Sequence, residues 1–173
     1  RRMTGVRSGQ AEPGHEAPLP AWQSIQDAQG LQAFLTPPPE TTAAVFANFE
    51  ELSLALQDGR QAQLKLSTGQ QSLLNENDGF TSAEALTQLL PKLKGGLIAH
   101  NAKALFHLMG MPPGSRTGLV FDTMIAAYLR NPQEKSYSLQ NFSQRDAQGV
   151  LDLYRKLAQQ LRSDEMEKLF HKI

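Results

Sequence analysis

The sequence predicts an α/β fold, a mixed sheet of three antiparallel strands joined to two parallel ones with helices on both faces. Two stretches carry that prediction. Residues 96–132, GLIAHNAKALFHLMGMPPGSRTGLVFDTMIAAYLRNP, read as two consecutive strand-then-helix units, which lay parallel strands side by side beneath covering helices. Upstream, residues 42–67 hold three short strand-like segments, and Asp58-Gly59 between the second and third is a tight-hairpin dipeptide, so these strands are expected to run antiparallel.

Residues 1–20 are rich in Gly, Pro, Glu and Arg and nearly free of large apolar side chains. Such a composition buries too little surface to offset chain entropy, so a linker is expected there and the folded domain at 21–173. Trp22, Ile25, Leu31, Phe34 and Leu35 follow among polar residues, with a short helix starting in 27–32 that Pro37 to Pro39 stop. The three strands are placed at 42–48 (TAAVFAN), 52–57 (LSLALQ) and 61–67 (QAQLKLS), with apolar and polar residues alternating in the last two. Residues 70–79 are polar and read as a loop. Thr81 and Glu84 form a capping box ahead of Leu86, Leu89, Leu90 and Leu93, which sets a helix from 82 to about 92, with Pro91 threatening its last turn.

Leu97-Ile98-Ala99 and Leu119-Val120-Phe121 are too short for helices and lie between glycines, as buried strands do. Leu56, Leu97, Ile98, Leu119, Val120 and Phe121 are expected to be buried. Asn101 and Asp122 stand where a side-chain oxygen accepts from the free N–H groups of a first turn, ahead of helices at 102–109 and 123–130. A helical turn at 138–142 and a long helix at 144–161 follow, the latter with Val150, Leu153, Leu157 and Leu161 along one face. A last amphipathic piece, with Met166, Leu169, Phe170 and Ile173, occupies 164–173.

At 173 residues the chain suits one domain of ordinary size. Its 17 basic residues cancel its 17 acidic ones, so no broad positive field holds nucleic acid, and any such contact must be local. Without cysteine there is neither a disulfide framework nor a thiolate metal site, and no apolar run is long enough to span a bilayer. A cytoplasmic location and no membrane partner are expected. The chain opens on Arg1-Arg2 and stops at Ile173 within an amphipathic pattern, so it reads as a segment of a longer polypeptide.

Three antiparallel strands, a helix, two strand-helix units and a final long helix is the element order of the ribonuclease H-like fold, which alone names no function. Phe121-Asp122-Thr123-Met124 and Ala127-Tyr128-Leu129-Arg130-Asn131-Pro132 resemble a phrase of the family A DNA polymerases, the bacterial DNA polymerase I group, in their 3′–5′ exonuclease domain. Ala99-His100-Asn101-Ala102-Lys103 resembles the stretch before that domain's second catalytic motif. Met166-Glu167-Lys168-Leu169-Phe170 resembles its approach to the polymerase domain. The resemblance covers about residues 22–173 and implies an exonuclease-like domain running into a polymerase domain, within a DNA-directed DNA polymerase of replication and repair.

An active member of that family holds two divalent metal ions on carboxylates, which activate a water and stabilise the leaving oxygen of the phosphodiester. In the first motif, Asp-x-Glu, the resemblance puts Phe49 at the Asp and Glu51 at the Glu; a slip of one residue would put Asn48 at the Asp. In the second, Leu105 stands at the Asp. The third, Tyr-x-x-x-Asp, falls on Phe142 and Asp146, keeping the acid and losing the phenol that would orient the water. Phe49, Glu51, Leu105, Phe142 and Asp146 are therefore read as degenerate exonuclease-motif positions, with no catalytic, cofactor-binding or metal residue among them. Two carboxylates at best, with Leu105 expected to protrude where the site would be, do not meet the near-octahedral oxygen coordination of Mg²⁺. No cofactor is expected in this domain, Mg²⁺ being expected only in the polymerase domain of the parent chain. The segment between Asn131 and Phe142 is also shorter than in proofreading members, which implies an incomplete single-strand cleft.

Other residues receive plainer readings. His100 and His107 have no further ligand at metal-binding spacing and are read as polar partners or surface residues. Asp122 is read as a helix cap, Ser115 and Ser138 lack a base, and Lys92, Lys94, Lys103, Arg116 and Arg130 read as scattered solvated charge. Glu51 and Asp146 read as surface acids. The expected function is a proofreading-inactive, structural module that meets DNA through the parent enzyme, with the polymerase domain of the same chain as partner and a monomeric state. The alternatives are an active proofreading exonuclease and an unrelated ribonuclease H-like nucleic-acid-binding module.

Overall fold

The computed structural model describes residues 21–67, 80–111 and 118–163. The expectations for 1–20, 70–79, 164–173, Ser115 and Arg116 lie outside the described residues. Six strands form one sheet in the order β1-β4-β3-β2-β5-β6, with β1 at Gln23–Ile25, β2 at Ala43–Ala47, β3 at Glu51–Leu56, β4 at Gln61–Lys65, β5 at Leu97–Ala99 and β6 at Leu119–Asp122. β2, β3 and β4 are antiparallel neighbours. β5 lies parallel to β2, and β6 parallel to β5. The mixed sheet expected from the sequence is present, and β1 enlarges it by pairing parallel with β4. Only Ile25 of β1 is buried, so three residues leave too little alternation for a strand to be recognised from sequence.

Alternation along the inner strands sends side chains to two apolar layers. Ala43, Val45, Leu52, Leu54, Leu56, Ala62, Leu64, Leu97 and Ala99 face one layer. It is closed by α1 (Ala28–Phe34), α2 (Ser82–Leu89) and α3 (Ala102–Leu108). Ala44, Ala55, Ile98 and Phe121 face the other, closed by α4 (Thr123–Arg130) and α5 (Ala147–Ser163). Helices thus cover both faces. Under α5 the sheet presents small residues, Ala44 directly opposite Ala55, and buried Ser53 beside them. Ser53 Oγ accepts from Ala147 N at 2.9 Å, which fixes the first turn of α5 onto β3.

The local signals act as their chemistry requires. Asp27 caps α1, its carboxylate accepting from Gly30 N at 2.7 Å. The capping box is made in both directions, Thr81 N donating to Glu84 Oε2 at 3.0 Å and Glu84 N to Thr81 Oγ1 at 3.3 Å. α2 ends at Leu89, and Pro91, which has no N–H to give, sits in a 3₁₀ turn over Leu90–Lys92. The Asp58-Gly59 hairpin joins β3 to β4, with Gly59 at φ +95°. Arg60 ties that hairpin to α1, donating to the carbonyls of Phe34 at 2.5 Å and Pro37 at 3.2 Å. Its guanidinium, paired with Asp58 at 2.7 Å, holds the Asp58 carboxyl below its usual range. Gly95 is required by close approach: a Cβ there would lie 2.2 Å from the backbone carbon of Thr41.

Two burial expectations are corrected at β6. Leu119 is only partly buried and Val120 is 45% exposed, whereas Leu56, Leu97, Ile98 and Phe121 are buried. β6 is an edge strand, and its register jumps from Leu97↔Leu119 to Ile98↔Phe121. Val120 is therefore the extra residue of a bulge, and a bulged residue has no partner to hold it against the core.

Candidate functional site

In open α/β sheets the strands' carboxyl ends are where ligands are received. Here that edge is made by Asn48 after β2, His100 and Asn101 after β5, Asp122 ending β6, and the start of α5 beside Ser53. The degenerate motif positions meet very different surroundings. Asn48 builds a tight turn: its Oδ1 accepts from Glu50 N at 2.8 Å and Glu51 N at 2.9 Å, and its own N donates to Glu51 O at 2.9 Å. Phe49 stands at the tip of that turn, 80% exposed. Glu51 is partly buried and opens β3, opposite Lys65.

Leu105 does not protrude into an open site. It is 6% exposed and packs in the apolar layer with Ala102 and Phe106, because residues three and four apart share the face that α3 turns to the sheet. Phe142, 37% exposed, follows the 3₁₀ turn Leu139–Asn141. Asp146 is not a free surface acid. Its Oδ1 accepts from Gly149 N at 2.7 Å and its carbonyl from Val150 N at 3.1 Å, so it caps α5, which begins at Ala147 rather than at 144 for that reason. Phe49 and Leu105 offer no donor atom to a cation. Among the described residues, no three His, Asp or Glu side chains stand together so as to hold a metal ion.

The polar centre of this edge is instead built on Asp122 and His100. Asp122, 5% exposed, accepts from Met124 N at 2.9 Å and Ile125 N at 3.4 Å, capping α4 as the sequence suggests. It also accepts from Asn101 N at 3.1 Å and Ala102 N at 2.7 Å, so the same carboxylate serves the start of α3. Asn101 can sit at φ +57° there while its own Oδ1 accepts from Ala104 N. The second role of Asp122 spans 20 residues and leaves no trace in local spacing.

His100 is the polar partner expected, and His107 is an exposed surface residue. Tyr137 O lies 2.7 Å from His100 Nε2 and Thr123 Oγ1 lies 2.8 Å from Nδ1. A carbonyl only accepts, so Nε2 carries the proton; the single Thr123 hydroxyl proton is shared between Nδ1 and the Ala99 carbonyl, 3.3 Å from Oγ1. This bond draws residues 131–138 to the end of β5, helped by Tyr137 Oη donating to Asn131 O at 2.6 Å and by an edge-on contact of the Tyr128 and Tyr137 rings at 5.6 Å. Burial lowers the His100 pKa, against the opposing pull of the Tyr137 carbonyl and the Asp122 charge. The unfolded chain then binds a proton that the folded one refuses, so stability is present above about pH 6.5 and is lost as the pH falls through the depressed folded value. Urea melts at pH 7.5 and 5.5 are expected to show a larger loss on acidification for the wild type than for His100→Gln, which cannot titrate.

Lys94, Lys103 and Arg130 are exposed, Lys92 is partly buried, and they belong to separate elements. Among the described residues no helix is long and apolar enough to cross a membrane.

The chain thus has an α/β fold of the ribonuclease H-like kind. No protein-family model matches it, and no curated protein does. Among solved structures it is similar to the "POL domain of Pol1 from M. smegmatis complex with DNA primer-template and dNTP", with a TM-score of 0.61 and 20% sequence identity over 86% of this chain. The likeness is one of fold. This chain spans 29% of that neighbour's length.

Proposed function

We propose that this chain is an exonuclease-like domain of a DNA polymerase I that no longer removes 3′ nucleotides and supports the polymerase domain carried by the same polypeptide. The observation that carries this reading is the placement of the motif positions: Phe49 is exposed on a turn, Leu105 is packed in the core, and Asp146 is engaged as a helix cap. These residues do not fit a pair of Mg²⁺ ions, which need a convergent set of oxygen donors. The resemblance of residues 121–132 to the polymerase I group and the likeness of fold to a Pol1 structure support the polymerase context. On this reading DNA is met through the parent enzyme, Mg²⁺ serves the polymerase domain alone, and the protein works as a cytoplasmic monomer.

The test is incubation of the purified domain, and separately of the full-length polypeptide, with 3′-labelled single-stranded DNA and Mg²⁺ or Mn²⁺. No nucleotide release is expected from the domain, while the full-length protein extends a primer. Metal-dependent release by the domain, abolished by Glu51→Gln, would overturn the reading.

A further inference from the structure

Phe49 is the most exposed of the large apolar side chains described, at 80%. It contributes to no apolar layer and stands with Glu50 at the turn between β2 and β3. The turn is held firmly. Besides the bonds made by Asn48, Leu66 N donates to Glu50 O at 2.7 Å, which fastens the tip to the end of β4. An aromatic ring is thus presented to solvent on a pre-organised support, which lowers the cost of burying it against a partner.

Charge and area decide the kind of partner. Partly buried Glu51 lies opposite Lys65, so the charge beside the ring is that of exposed Glu50, which repels phosphates and suits a pocket rimmed by Lys or Arg. One ring offers on the order of 200 Å², far below the ~800 Å² per partner of a stable complex between separate molecules. Such a contact is sustained only where a covalent connection keeps the partner at high effective concentration. We propose that the Phe49 tip docks into an apolar pocket with a cationic rim on another domain of the same polypeptide. The proposal rests on the reading that this domain is carried by a longer polymerase chain.

These 173 residues contain no cysteine, so in a full-length polypeptide whose cysteines elsewhere are replaced by serine, Phe49→Cys marks the tip for a maleimide-benzophenone photo-crosslinker, with Gln159→Cys on α5 as the control position. After irradiation, mass spectrometry is expected to find a cross-link from position 49 within one polypeptide, to a Lys- or Arg-containing peptide outside these 173 residues. Its yield is expected to fall several-fold on adding Glu50→Lys and to exceed the yield from position 159. Since the ring is exposed, Phe49→Ala is expected to leave the melting temperature of the isolated domain unchanged. A cross-link to a second copy, to added single-stranded DNA, or to nothing would overturn the proposal and leave the polymerase reading standing. A flanking polypeptide without polymerase activity would defeat that reading, whatever position 49 reaches.

Discussion

Leu105→Asp is expected to lower stability by about 4 kcal/mol and to restore no nuclease activity. Leu105 is buried on α3 among Ala102, Phe106 and the sheet residues of the same layer. Truncating such a leucine costs about 2 to 5 kcal/mol through lost burial and the cavity left behind. The aspartate adds a group with no partner in an apolar layer, where it takes up a proton rather than stay charged. A protonated acid facing the core is no ligand for Mg²⁺. Urea denaturation of the wild type, Leu105→Asp and the volume-conserving Leu105→Met, together with the labelled-DNA assay, checks both halves. Leu105→Met is expected to cost less than about 1.5 kcal/mol. Released nucleotide from Leu105→Asp would show that position 105 faces a functional cleft after all.

Asp122→Ala is the second large effect, expected at about 3 kcal/mol. The carboxylate accepts four backbone N–H groups, from Asn101, Ala102, Met124 and Ile125, and is itself buried. Losing one cap costs about 1 kcal/mol; here α4 loses its cap, and although α3 keeps Asn101, its Ala102 donor is left without an acceptor in a buried setting, which adds about 1 to 3 kcal/mol. Asp122→Asn is expected to fall between, since its amide keeps one accepting oxygen that can serve α3 or α4 fully but not both. Chemical denaturation of the three proteins measures the order. Asp122→Ala within about 0.5 kcal/mol of the wild type would show that water replaces the carboxylate at both helix ends.

Particular residues explain why part of this molecule was legible from sequence and part was not. Local chemistry announces itself: the capping box at Thr81 and Glu84, the Asp58-Gly59 hairpin, the cap at Asp122 and the break at Pro91 each act within four residues of their partners. The strands of the mixed sheet could be placed because apolar runs of that length have few other uses. What escaped depends on distant partners. β1 exists through its pairing with β4, the bulge at Val120 through its register against β5, and the tie between His100 and Tyr137 across 37 residues. At the candidate site the resemblance could name Leu105 and Asp146 but not their surroundings. Whether Leu105 faces a cleft or the core depends on how α3 lies on the sheet, and Asp146 becomes a cap only because α5 starts one residue later.

The two rims of the sheet bear on how the protein behaves when crowded. An open strand edge is a row of unpaired N–H and C=O groups that invites a neighbouring chain to add itself, the route to aggregation. On one rim β1 offers only three residues. On the other, β6 has four, and the bulge at Val120 breaks the regular spacing that an incoming strand would have to match. The irregularity that exposes Val120 therefore also acts as a stop against strand addition, with one valine left outside the core as its consequence.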